Sequence, residues 1–259
     1  MLSRVFAVVA LLVLSVTNAI AMPSASAAAE LDRRLGTSVE SYSIDSENLL
    51  QALAKFSDDF QVPLGIEWQI SKVAYMPLKR QYEKSTVRQI VADMVTVEAG
   101  YTMSVSNGVI HVSKTTIFDD GRNFLNIPID DFELSSEFVF QANNRLRKLV
   151  AGLTNPELPR AELGCAGSFG VGAGDRKVSF HLPNVVVRDI LDKFVTSAGF
   201  NIWLVTFPEI ATKGFFKTTS IFSPGLPESE LPAWDLLLPG YDPVRKQMGT
   251  GWRQRQSRE

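Results

Sequence analysis

One cysteine in 259 residues, Cys165, excludes an internal disulfide, so a chain that reaches an oxidising compartment has to be held together by packing. Histidine is nearly as scarce. His111 and His181 are the only two, and neither has a second ligand at metal-site spacing, so neither a metal nor a cofactor is expected. Charge of one sign is missing too: 26 basic residues face 28 acidic ones, a net charge of −2, which leaves no electrostatic footprint for nucleic acid. Long apolar runs are missing except at the start. There, Val5 to Val16 is almost wholly apolar, yet it is shorter than the roughly 20 residues a membrane helix needs.

That run, with Arg4 before it and the small-x-small site Ala19-Ile20-Ala21 after it, is the pattern of a signal peptide over residues 1–21. Cleavage before Met22 is expected, with Ala25-Ser26-Ala27 as a second possible site. No cysteine stands directly after the run, which argues against a lipoprotein, and the mature chain is expected in the periplasm or medium. Residues 22–40 are alanine-rich and charged, with only Leu31 and Leu35 to mark a turn of helix, and are expected to be a leader or linker.

Residues 41–115 carry the clearest pattern. Tyr42-Ser43-Ile44 alternates as a strand, and a helix capped by Asp45 or Ser46 follows with Leu49, Leu50, Leu53, Phe56 and Phe60 on one face. Pro63 ends it, and Leu64 to Trp68 reads as a half-buried strand. A second unit starts near Lys79 to Tyr82; Ser85 or Thr86 caps a helix that buries Val87, Ile90, Val91, Met94 and Val95, and Gly100 marks its end. Asn107-Gly108, between Tyr101-Met103-Val105 and Ile110-Val112, predicts a tight hairpin because both turn positions favour positive φ.

This β-α-β, β-α-β-β order resembles the secretin and TonB N-terminus short domain. The matching residues are Tyr42-Ser43-Ile44, the helix Asn48 to Ala54, the helix Val87 to Val91, and the Gly100-Tyr101 step into a hairpin ending Val109-Ile110-His111-Val112. The resemblance implies a domain that binds other envelope proteins and catalyses nothing. A secretin, a TonB-dependent receptor or an anti-sigma regulator would then be the partner.

Residues 122–208 are expected to form a second, related α+β unit. Val187-Arg188, Ile190-Leu191 and Phe194-Val195-Thr196 match Val87-Arg88, Ile90-Val91 and Met94-Val95-Thr96 at an offset of one hundred, and Gly199-Phe200 stands for Gly100-Tyr101. Upstream, Phe124 to Ile129 reads as an edge strand because of Pro128. Ser135 or Ser136 is expected to cap a helix burying Phe138, Val139, Leu146, Leu149 and Val150 and ending at Asn155-Pro156. Asp130, Asp131, Glu133 and Glu137 read as a solvated acidic loop with acids at that helix start rather than as a metal or acid/base site. The glycines at 164, 167, 170, 172 and 174 form a loop, not a phosphate cradle, because the alternating run Arg176 to Leu182 after them is a strand.

Residues 209–259 hold Pro224, Pro227, Pro232, Pro239 and Pro243 and a basic end, and are expected to be a disordered tail, with Trp234, Leu236-Leu237-Leu238 and Trp252 as hints of a docking peptide. The expected protein is therefore α+β, a β-α-β-β-α-β-β module with a second related unit, acting through protein–protein contacts with no catalytic residues. The rival readings are a secreted hydrolase or transferase using Cys165 and His181, and a cell-wall polysaccharide binder stacking sugars on Trp68, Trp203, Trp234 or Trp252.

Overall fold

The computed structural model describes residues 24–69, 76–118, 123–154, 176–207, 234–237, 241–242 and 247–248. The signal run, Asn155-Pro156, the glycine loop with Cys165, and Trp252 with the basic end lie outside the described residues. The fold is mixed α+β. Its first unit comprises helix α1 (Ser24–Leu35), strand β1 (Ser38–Ser46), α2 (Leu49–Phe60), β2 (Leu64–Gln69), β3 (Leu78–Thr86), α3 (Val87–Val95), β4 (Tyr101–Ser106) and β5 (Val109–Lys114). A short helix α4 (Thr115–Phe118) and a 3-10 turn at Phe124–Asn126 lead into β6 (Pro128–Phe138), α5 (Val139–Thr154), β7 (Lys177–Val186), α6 (Val187–Ala198) and β8 (Ile202–Phe207). Three short strands follow, β9 (Trp234–Leu237), β10 (Tyr241–Asp242) and β11 (Gln247–Met248).

A five-stranded sheet in the order β4-β5-β2-β8-β9 lies at the centre. Each strand of it sends alternate residues to opposite faces, as the two-residue period requires. Leu64, Ile66, Trp68, Ile110, Val112, Ile202 and Leu204 point to one face, where they pack with the α2 and α3 residues Leu53, Phe56, Ile90 and Met94. Val109, Trp203, Val205 and Phe207 point to the other and pack with Leu146 of α5 and Ile190, Leu191 and Phe194 of α6. Beyond the helices, an antiparallel ribbon closes each side: β1·β3 over α2 and α3, and β6·β7 over α5 and α6. The layers run ribbon, helices, sheet, helices, ribbon.

The two sides follow one plan. Lys84 and Asn184 both take the left-handed conformation, φ +47° and +51°, three residues before the first residue of their helices. The Val87 N–H donates to the Thr37 carbonyl, and the Val187 N–H to the Ile127 carbonyl. Ile44 opposes Arg80 in the first ribbon, and Leu134 opposes Phe180 in the second. The first halves of the two units thus correspond at an offset of ninety and the second halves at one hundred. The ten extra positions are spread over a longer α5, 16 residues against 12 in α2, and the longer connection from it to β7.

Several local expectations are corrected. The stretch predicted as a leader forms α1 from Ser24, because Leu31 and Leu35, one turn apart, are buried in the first core and Glu30 pairs with Arg33 and Arg34 on the outer face. The cap of α2 is Asn48, whose side chain accepts the Gln51 N–H; Asp45 and Ser46 still belong to β1. Strand β2 is buried on both faces rather than half-buried, since β5 and β8 flank it and helices cover both sides.

The edge strand expected at Phe124–Ile129 is a 3-10 turn capped by Asn123, and β6 starts at Pro128, where a missing N–H costs nothing. Ser135 and Ser136 do not cap a helix. The strand runs through them with a register shift between Leu134 and Glu137, so α5 starts at Val139, Phe138 stays in the strand, and Leu149 is exposed. The supposed tail contributes β9, antiparallel to β8, with Leu236 buried against the second core.

Candidate functional site

Chemistry-bearing side chains gather where the second unit meets the shared sheet. Glu67 points from β2 to the second-unit face, as its place between Ile66 and Trp68 dictates. Arg188, the second residue of α6, reaches it: Nε and Nη2 donate to Glu67 Oε1 at 3.0 and 2.8 Å, while Asn123 Nδ2 donates to Oε2 at 2.7 Å. The guanidinium also donates through Nη1 to Asn126 Oδ1 at 2.6 Å and lies 4.0 Å over the Phe118 ring. Both charges are almost wholly buried, with side-chain exposures of 8% for Arg188 and 1% for Glu67. Burying such a pair is tolerable only when its remaining hydrogen-bonding groups are met as well, and here they are.

Asp192, one turn further along α6, is a second hub. Its Oδ1 accepts Trp203 Nε1–H at 2.8 Å, its Oδ2 accepts Asn107 Nδ2 at 3.2 Å, and His111 Nε2 lies 3.3 Å from Oδ2. Asn107 also donates to Asp189 Oδ1 at 2.7 Å, and Asp189 Oδ2 caps α6 by accepting the Val186 N–H. Every one of these contacts joins a residue of the first unit to one of the second or braces a residue that does. Gly65 completes the seam. It sits opposite Trp203 in the β2·β8 register, and a Cβ there would come within 2.3 Å of the indole, well inside van der Waals contact.

Ser106, His111 and Asp192 have the composition of a nucleophilic triad but not its geometry. Ser106 Oγ and Asp192 Oδ2 both contact His111 Nε2, at 3.0 and 3.3 Å, and Nδ1 is buried with no hydrogen-bond partner among the described residues. A triad needs the serine on one ring nitrogen and the orienting carboxylate on the other, so that one nitrogen can take the proton while the other is held. With both on one nitrogen, no relay is possible. The imidazole serves instead as a buried bridge between β5 and α6, hydrogen-bonded to Ser106 and set 3.3 Å from the Asp192 carboxylate.

The residues singled out from sequence are dispersed. His181 lies on the outer face of β7, 2.5 Å from Asp131 Oδ1 and directly opposite Glu133, and is well exposed. Asp130, Asp131 and Glu133 are exposed residues of β6 rather than of a loop, and Glu137 pairs with Arg145 of α5 at 2.8 Å instead of starting a helix. Trp68 and Trp203 are buried and offer no face to a sugar. Trp234 lies on β9. Among the described residues no group of histidine, cysteine and acidic side chains is placed to hold a metal, and no helix is long and apolar enough to cross a membrane.

The seam itself escaped sequence reasoning. The only available signal was position: Arg188 and Arg88 occupy the same place in the two units, yet Arg88 is exposed and pairs with Asp32 of α1. The sheet also ends in an edge, β4, with no strand on its outer side among the described residues. No known protein family, no curated protein and no solved structure matches the chain.

Proposed function

We propose that the protein is an exported protein–protein interaction module of the cell envelope, built on a domain similar to the secretin and TonB N-terminus short domain. The observation that carries this reading is the chain order β1-α2-β2 followed by β3-α3-β4-β5 over Ser38 to Lys114, the order on which the resemblance rests. The polar chemistry near the centre favours the same conclusion, since Glu67, Arg188, His111 and Asp192 are committed to joining the two units. Affinity would come from main-chain hydrogen bonds at an open sheet edge, the mode by which extended partners add to a sheet. A secretin, a TonB-dependent receptor or an anti-sigma regulator is the partner class.

The test has two readouts. N-terminal sequencing of the protein recovered from periplasm or medium should begin near Met22 or Ala28, and crosslinking in envelope fractions should join the folded chain to one of those partner classes. A cytosolic chain that still begins at Met1 would sink the proposal.

A further inference from the structure

Among the described residues, strand β4 has none of the features that keep sheet edges apart. Its sequence Tyr-Thr-Met-Ser-Val-Ser carries no charge and no proline, and it pairs with β5 over six residues without a bulge. Val105 on it is one of the few large apolar side chains left exposed, at 37%. The strand is also rigidly presented. Asn107 at the hairpin tip is held by Asp189 and Asp192, and Gly108 packs on Ala27 of α1.

Hairpin geometry says which backbone groups are free. Ser106 and Val109 close a two-residue turn, so Ser106, Ser104 and Thr102 direct their N–H and C=O groups to β5, and Met103 and Val105 direct theirs outward. The Tyr101 N–H is already given to the Glu98 carbonyl. Within the chain, the equivalent edge shows what such a strand accepts: β8, the counterpart of β4, has β9 on one side and is covered on the other by β2, a strand of a different unit.

We infer that the β4 edge pairs with the β4 edge of a second copy of this chain, antiparallel, with Ser104 facing Ser104 across a two-fold axis. This rests on reading the sheet edge as the docking surface. In this register Met103 of each copy opposes Val105 of the other, so the outward groups of both residues are used in about four hydrogen bonds. The exposed Val105 is covered by an apolar neighbour. Thr102 opposes Ser106, and no like charges meet, which suits a self-complementary interface.

The experiment uses the full mature chain. Sedimentation velocity should show a monomer–dimer equilibrium that Val105→Lys shifts to monomer, because the two lysines would lie beside each other's strands, while circular dichroism stays unchanged since Val105 is exposed. In a Cys165→Ser background, Ser104→Cys should form a disulfide-linked dimer under mild oxidation, the facing Cα atoms being about 4.5 Å apart. Thr102→Cys, whose copies lie four residues out of register, should not. A chain that is monomeric at every concentration, a dimer indifferent to Val105→Lys, or equal crosslinking at 102 and 104 would overturn the inference. Monomers that still crosslink to an envelope partner would overturn self-pairing alone and leave the proposed function standing.

Discussion

At the scale of residues, the same side chain does opposite work in the two units. Arg188 is buried on Glu67, and Arg188→Met would leave that carboxylate without its cation in a dry site, a loss of about 3–5 kcal/mol. Arg88, exposed beside Asp32, should change stability by less than about 0.5 kcal/mol when made Met. Urea denaturation of the two variants checks the contrast, and equal losses would mean that the seam is not what Arg188 serves. Tyr42 and Tyr82 offer a pH readout. Burial first, and then the carboxylates of Asp59 and Asp93 that accept their hydroxyls, push both phenols up from their ordinary value of 10.0. A raised folded value means that the neutral phenols favour the folded state. That contribution is complete below the unfolded value and is lost as pH rises through the folded one. Phenolate absorbance should therefore show these two tyrosines silent where free tyrosine ionises, and Tyr42→Phe should leave the early part of the titration unchanged.

At the scale of elements, close approach decides more than propensity. Gly65 lets β2 run against the Trp203 indole, and Gly65→Ala should cost about 1–3 kcal/mol by overpacking. Trp203→Leu in the same chain should return part of that loss, a non-additivity that thermal denaturation can resolve. The elements legible in sequence were those with local signals. Helix α3 announced itself through the Thr86 cap and five apolar residues on one face, and the β4–β5 hairpin through Asn107-Gly108, whose φ values are +52° and +78°. Strand β6 was misread because its outward face carries Asp131, Glu133 and Ser135, which resemble a loop with a cap until β7 supplies the pairing. The cap of α2 was misplaced because β1 extends through Asp45 and Ser46, held by Lys79 and Leu78 across the ribbon. Helix α1 rests on only two buried leucines, too little periodicity to see without the core they enter.

At the scale of the whole molecule, no local pattern could have revealed the shared sheet. Glu67 and Arg188 are 121 positions apart, and β9 reaches β8 from beyond a proline-rich stretch. The consequence is energetic coupling. One face of β2, β5 and β8 belongs to the first core and the other face to the second, so losing either set of helices would expose Trp203 and Val205, or Ile66 and Ile110, together with the buried charges. Two units joined by a loose linker would unfold separately, whereas units that share strands should unfold together. Phe194, fully buried on α6, gives the test. Phe194→Ala should cost about 3–5 kcal/mol, and amide hydrogen exchange should quicken by the same factor at Ile44 in the first ribbon as at Leu134 in the second. Acceleration confined to Leu134, or denaturation in two steps, would show the sheet to be a contact between independent domains. Equal acceleration would mean that whatever grips the β4 edge is gripping the whole protein.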